Sequence, residues 1–126
     1  MTKNLDNEGL KSIVENYDLF FIDLWGVVHN GIKLHENAIK TLTEISNTKK
    51  NYVLLTNAPR PNNSVKIFLE KMGMDKSIFE KVYTSGEAAL NYLIKNYLND
   101  KFYHIGPPRD FDRSEERRVG KECRSR

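Results

Sequence analysis

Two short apolar runs, DLFFID at residues 18–23 and NYVLLTN at residues 51–57, restrict the fold more than anything else in the sequence. Each is too short for a buried helix and too continuous for a strand with one wet face, so each reads as a strand of a parallel sheet covered on both sides. Each also ends in polar groups, Asp23 in the first run and Thr56 with Asn57 in the second. Between them Ala38, Ile39, Leu42 and Ile45 recur at helical spacing and predict a helix over 36–47. Strand, helix and strand in that order make a βαβ unit, whose crossover is expected to be right-handed. Open sheets of this kind bind ligands beyond the carboxyl ends of their strands, where Asp23 and Thr56 both fall.

The alternation continues on either side. Leu10, Ile13, Val14 and Tyr17 predict a short amphipathic helix over 7–16 ahead of the first strand. After the second strand Pro59 and Pro61 delay the next helix. Val65, Phe68, Leu69 and Met72 then mark it, and Gly73 closes it. A strand over 82–84, a helix over 87–97 with Ala88, Leu90, Leu93, Ile94 and Tyr97 inward, and a strand over 102–105 complete the pattern. The expected class is α/β: part of a Rossmann-like, three-layer core around a parallel sheet.

The last fourteen residues, RSEERRVGKECRSR, break with this character. They form a dense Arg/Glu run without apolar periodicity, and they resemble the frame translation of a short-read sequencing adapter. The expected organisation therefore ends near Asp112, with 113–126 a disordered, non-native tail. Setting the tail aside leaves fourteen of the 20 basic and fourteen of the 17 acidic residues, a formal balance of zero. That removes the case for a nucleic-acid partner. The single cysteine, Cys123, also lies in the tail, so the body offers no disulfide or thiol chemistry and suits a reducing, cytoplasmic setting. Its apolar runs are far shorter than the ~20 residues of a membrane-crossing helix. The polar N-terminus carries no signal peptide pattern.

The motifs narrow this further. DLWGVVHNG, with Asp23, Gly26, Val27 and Gly31 in register, resembles the first motif of the haloacid dehalogenase superfamily; VLLTNAPRP resembles the second. VYTSGEAALNYL resembles the segment that opens the large α/β cap of the class IIA members, and KFYHIGPPRD the strand and turn after it. The resemblance implies a core over 1–80 and the start of a truncated cap over 81–112. It also implies Mg²⁺-dependent transfer of a phosphoryl group from a small phosphorylated metabolite, through an aspartyl-phosphate. Asp23 would be the nucleophile. Its second oxygen and the Trp25 carbonyl would hold Mg²⁺, a hard cation that prefers oxygen. Thr56 and Asn57 would grip the phosphoryl group, and Arg60 would reach an anionic substrate. Such transfer needs an oxygen nucleophile held in line and donors on the transferring oxygens.

Plainer readings exist for the same residues. Asp23 can be a solvated strand end, Thr56 and Asn57 simple turn residues, Arg60 a solvated loop residue, His29 a loop residue rather than a catalyst, and His104 structural. Two departures from the family pattern also matter. The resemblance places an acid two positions after the nucleophile, to protonate the leaving oxygen. Trp25 stands there instead, and an indole offers an N–H but exchanges no proton at useful pH. It could form an apolar wall against a substrate, and a subgroup of class IIA-like proteins carries Trp here. The family's Lys motif and second acidic metal motif are not found before Asp112, which implies that this polypeptide is inactive by itself. Two other functions stay open: a ligand-binding or regulatory relative without turnover, and a receiver-like module phosphorylated on Asp23.

Overall fold

The structure, a computed structural model, describes residues 4–101. Strand β1 (Leu19–Ile22) is followed by helix α2 (Glu36–Ser46), strand β2 (Asn51–Thr56), helix α3 (Asn62–Lys71), the short α4 (Lys76–Phe79), strand β3 (Val82–Thr84) and helix α5 (Ser85–Tyr97). A single turn, α1 (Leu5–Glu8), precedes them. The three strands form one parallel sheet in the order β1-β2-β3. This is the α/β architecture expected from the alternating pattern.

The helix predicted over 7–16 is replaced by α1 and two 3₁₀ turns, Leu10–Ser12 and Val14–Asn16. Gly9 causes the break. Its φ of 70° is a left-handed conformation incompatible with a continuing helix. Only Leu10 of the predicted apolar stripe is counted among the residues packed on the core, and Tyr17 remains exposed. Lys50 ties this segment to the sheet by ion pairs to Asp18 and Glu15, at 3.4 and 3.9 Å.

The core lies on one face of the sheet. Tyr52 and Leu54 of β2 and Val82 of β3 point into it, and it is closed by Leu42 and Ile45 of α2, Val65 and Leu69 of α3, and Met74, Ile78 and Phe79 around α4. Leu24 and Val28 enter from the loop after β1 and are almost completely buried. Strand period 2 and helix period 3.6 therefore meet on the same side.

The opposite face departs from expectation. The first strand was read as covered on both sides, yet Phe21 is 68% exposed, and Leu19, Leu55 and Tyr83 share its alternation and are also exposed. Among the described residues no helix covers that face, and β1 is an edge strand, which explains the difference. Helix α5 differs similarly. Ala88 and Tyr97 of its predicted inward stripe are exposed, Leu90, Leu93 and Ile94 are half-buried, and only Gly86 is buried.

The segment expected to start a cap, 81–112, contains β3, which joins the same sheet as β1 and β2, and α5, which runs directly from it. The predicted strand over 102–105, His104, the KFYHIGPPRD segment and the tail over 113–126 lie outside the described residues.

Candidate functional site

Parallel pairing fixes which residues share an edge. Ile22 is opposite Leu54, Leu54 opposite Val82, and Thr56 opposite Thr84. Asp23, one residue past Ile22, therefore leaves the sheet at the same carboxyl edge as Thr56. The strands are neighbours, about 4.8 Å apart in any such sheet. Asp23 is exposed, and its Oδ1 accepts a hydrogen bond from the Leu24 amide at 2.8 Å. Thr56 is buried, and its Oγ1 accepts from the Ala58 amide at 3.3 Å. Asn57 is exposed and Arg60 half-buried.

The loop after Asp23 is folded tightly around a single carbonyl. The Leu24 oxygen accepts from the amides of Val28 at 2.9 Å and His29 at 3.1 Å, and the Gly26 amide donates to the His29 oxygen at 2.8 Å. Burial of Leu24 and Val28 in the core anchors this turn. Asn30 then makes an Asx turn, its Oδ1 accepting from Ile32 and Lys33 at 3.0 and 2.9 Å.

Trp25 stands 65% exposed on this loop, yet its ring is held. It meets the His29 ring edge-on, with centroids 5.6 Å apart, and lies so close to Gly31 that a Cβ there would come within 2.6 Å of it. Gly31 also has φ +86°, a backbone conformation that favours glycine whatever the indole does. Sequence reasoning treated His29 as an ordinary loop residue. The structure buries it between Trp25 and Phe68, with Nδ1 accepting from the Gly31 amide at 2.9 Å. The proton of the neutral ring is thus on Nε2. Burial pushes the His29 pKa below its ordinary value, nearby His35 lowers it further, and Asp23 opposes both.

A second cluster sits across the edge. The fully buried Thr84 caps α5: its Oγ1 accepts from the Glu87 amide at 2.9 Å and donates to the Arg60 carbonyl at 2.6 Å. Asn62 Oδ1 accepts from the Thr84 amide at 2.8 Å, and Glu87 Oε2 accepts from the Asn62 amide at 3.0 Å. The spacing Thr84-x-x-Glu87 is a capping-box signature that would have flagged half of this cluster. The other half, through Asn62, has no local signal.

Among the described residues no group of three or more His, Cys, Asp or Glu could hold a metal. The oxygens at hand are the Asp23 carboxylate, whose Oδ1 already accepts from the Leu24 amide, and the Trp25 carbonyl. Both are hard donors and fit Mg²⁺ in kind. No helix among the described residues is long and apolar enough to cross a membrane.

Comparison with known proteins gives one consistent picture. Residues 20–120 match the family model described as haloacid dehalogenase-like hydrolase. Among solved structures, a haloacid dehalogenase-like family hydrolase from Brucella suis is 31% identical, with a TM-score of 0.70 over 80% of this chain and 36% of its own. The glycerol phosphate phosphatase of Mycobacterium tuberculosis, solved in complex with magnesium, is 26% identical, with a TM-score of 0.57 over 75% of this chain and 28% of its own. A 4-nitrophenylphosphatase from Thermotoga maritima, 23% identical with a TM-score of 0.57 over 68% of this chain and 33% of its own, shares the fold. The chain spans about a third of the length of these structures. A search of curated proteins found no match.

Proposed function

Because the chain belongs to the haloacid dehalogenase-like hydrolase family, we propose that it is the nucleophile-bearing part of a Mg²⁺-dependent phosphohydrolase of the class IIA type, acting on a small phosphorylated metabolite. The observation that carries this reading is the shared carboxyl edge, where Asp23 and Thr56 leave adjacent parallel strands. A carboxylate oxygen of Asp23 attacks phosphorus, the ester oxygen departs, and water later hydrolyses the aspartyl-phosphate. The Thr56 hydroxyl and the Asn57 amide donate to the transferring oxygens. Arg60 faces the anionic substrate. Asp23 and the Trp25 carbonyl would hold Mg²⁺, which when bound neutralises phosphoryl charge. The cap follows β3 and selects the substrate, and the Lys and further acids come from other parts of the full-length protein. The chain alone, without them, is inactive.

Trp25 gives a second reading its specific support. With an indole where the resemblance expects a proton donor, the site suits binding without turnover, and the held, exposed ring would wall the ligand. Phosphate release by the full-length protein from a panel of sugar, glycerol and aryl phosphates separates the two. Turnover that disappears in Asp23→Asn supports the hydrolase. Binding across the panel with no release establishes the alternative.

A further inference from the structure

The loop between β2 and α3 carries every group proposed to touch the phosphoryl end of the substrate after Thr56, but it has little means of holding itself. Pro59 and Pro61 have no amide hydrogen to donate. Its carbonyls are instead taken from outside. The Ala58 oxygen accepts from the Gly86 amide at 3.1 Å and the Ser85 hydroxyl at 2.9 Å, and the Arg60 oxygen accepts from the Thr84 hydroxyl at 2.6 Å. The two segments are also in near contact. A Cβ on Gly86 would lie 2.4 Å from the Pro59 carbonyl carbon and oxygen.

At the far end of the loop, Asn62 and Glu87 close a ring. In a capping box the acid would bond back to the amide of its own cap residue. Here Glu87 accepts from the Asn62 amide, and Asn62 accepts from the Thr84 amide. The box has been opened and another strand of chain inserted. Each polar group in the ring is satisfied by a residue 22 or more positions away, except the cap itself.

We propose that Thr84, with Asn62 and Glu87, is a positioning residue for phosphate recognition: the start of α5 sets the 57–61 loop and thereby the Thr56, Asn57 and Arg60 groups. The inference rests on the hydrolase reading, deepening it, and assigns a role to the TSGE segment within the phosphate site. Val in place of Thr84 keeps the volume and removes both hydroxyl bonds. It takes away the hydroxyl that donates to the Arg60 carbonyl and accepts from the Glu87 amide.

The test is calorimetric titration of the full-length protein with inorganic phosphate in the presence of Mg²⁺, alongside thermal melting. Thr84→Val should weaken phosphate binding about tenfold or more, while Thr84→Ser, which keeps the hydroxyl, stays within about twofold of the wild type. Glu87→Ala should act like Thr84→Val and Glu87→Gln like Thr84→Ser. The glutamate pair decides the matter if Thr84→Val does not fold. Unchanged affinity in Thr84→Val and Glu87→Ala, with only the melting temperature lowered, overturns the positioning role and leaves the hydrolase reading intact. Absence of phosphate binding by the wild type removes both.

Discussion

At the scale of single residues, Trp25 has the sharpest chemical consequence. On the proposed hydrolase reading, a site without an acid at that position leaves the departing oxygen to take its proton from solvent or leave as an anion, and the assistance forgone is about 10² to 10⁴ in rate. Turnover by the full-length protein should therefore depend steeply on leaving-group pKa, with aryl phosphates far ahead of alkyl phosphates. Trp25→Asp should flatten that dependence; comparing kcat/KM across substituted phenyl phosphates measures it. His29 gives a prediction about stability. Its pKa is lowered in the folded chain by burial and by His35 against the pull of Asp23. The unfolded chain, with this imidazole at the ordinary 6.5, thus takes up a proton before the folded chain does. Stability contributed by the neutral ring is complete above that value and declines as pH falls below it, until the folded pKa is passed. His29→Asn, which can keep an acceptor for the Gly31 amide, should reduce this pH slope in urea titrations performed with chelator present.

At the scale of elements, strand ends were legible and the bonds between loops were not. Four consecutive apolar residues closed by Asp23, and another apolar run closed by Thr56, announce two strands and their shared edge, because burial and polarity are written directly in side-chain type. The helix expected over 7–16 rests on the spacing of Leu10, Ile13, Val14 and Tyr17 alone, and the left-handed backbone at Gly9 decided the outcome. The ring of Asn62, Thr84 and Glu87 was out of reach, since its partners lie 22 and 25 residues apart and no periodicity links them. The burial of His29, a loop residue as expected, was illegible for a related reason: it packs against Phe68, an α3 residue. The close packing of α5 on the Pro59 carbonyl makes one element-level prediction. Gly86→Ala should destabilise the fold by about 1–3 kcal/mol through overpacking, measured by chemical denaturation, despite alanine's better helix propensity.

At the scale of the whole molecule, the sheet formed by the described residues is covered on one face only. Phe21, Leu19, Leu55 and Tyr83 form an apolar surface on a sheet with β1 at its edge, a combination that favours self-association. The 126-residue chain should show rising mass with concentration in light scattering, and Phe21→Lys should suppress the rise with little change in melting temperature, because that side chain is already mostly in water. The sequence pattern anticipated a covered face there because it reports what a side chain prefers, and cannot report whether a covering layer is present. One last property belongs to the molecule as a whole. Trp25 is the sole tryptophan of the 126-residue chain, which also holds six tyrosines, so emission excited at the red edge, where tyrosine does not absorb, originates two residues from Asp23. Red-edge fluorescence melting curves will follow the loosening of that one loop while circular dichroism follows the helices, and any gap between the two transitions will measure how far the carboxyl edge opens before the rest gives way.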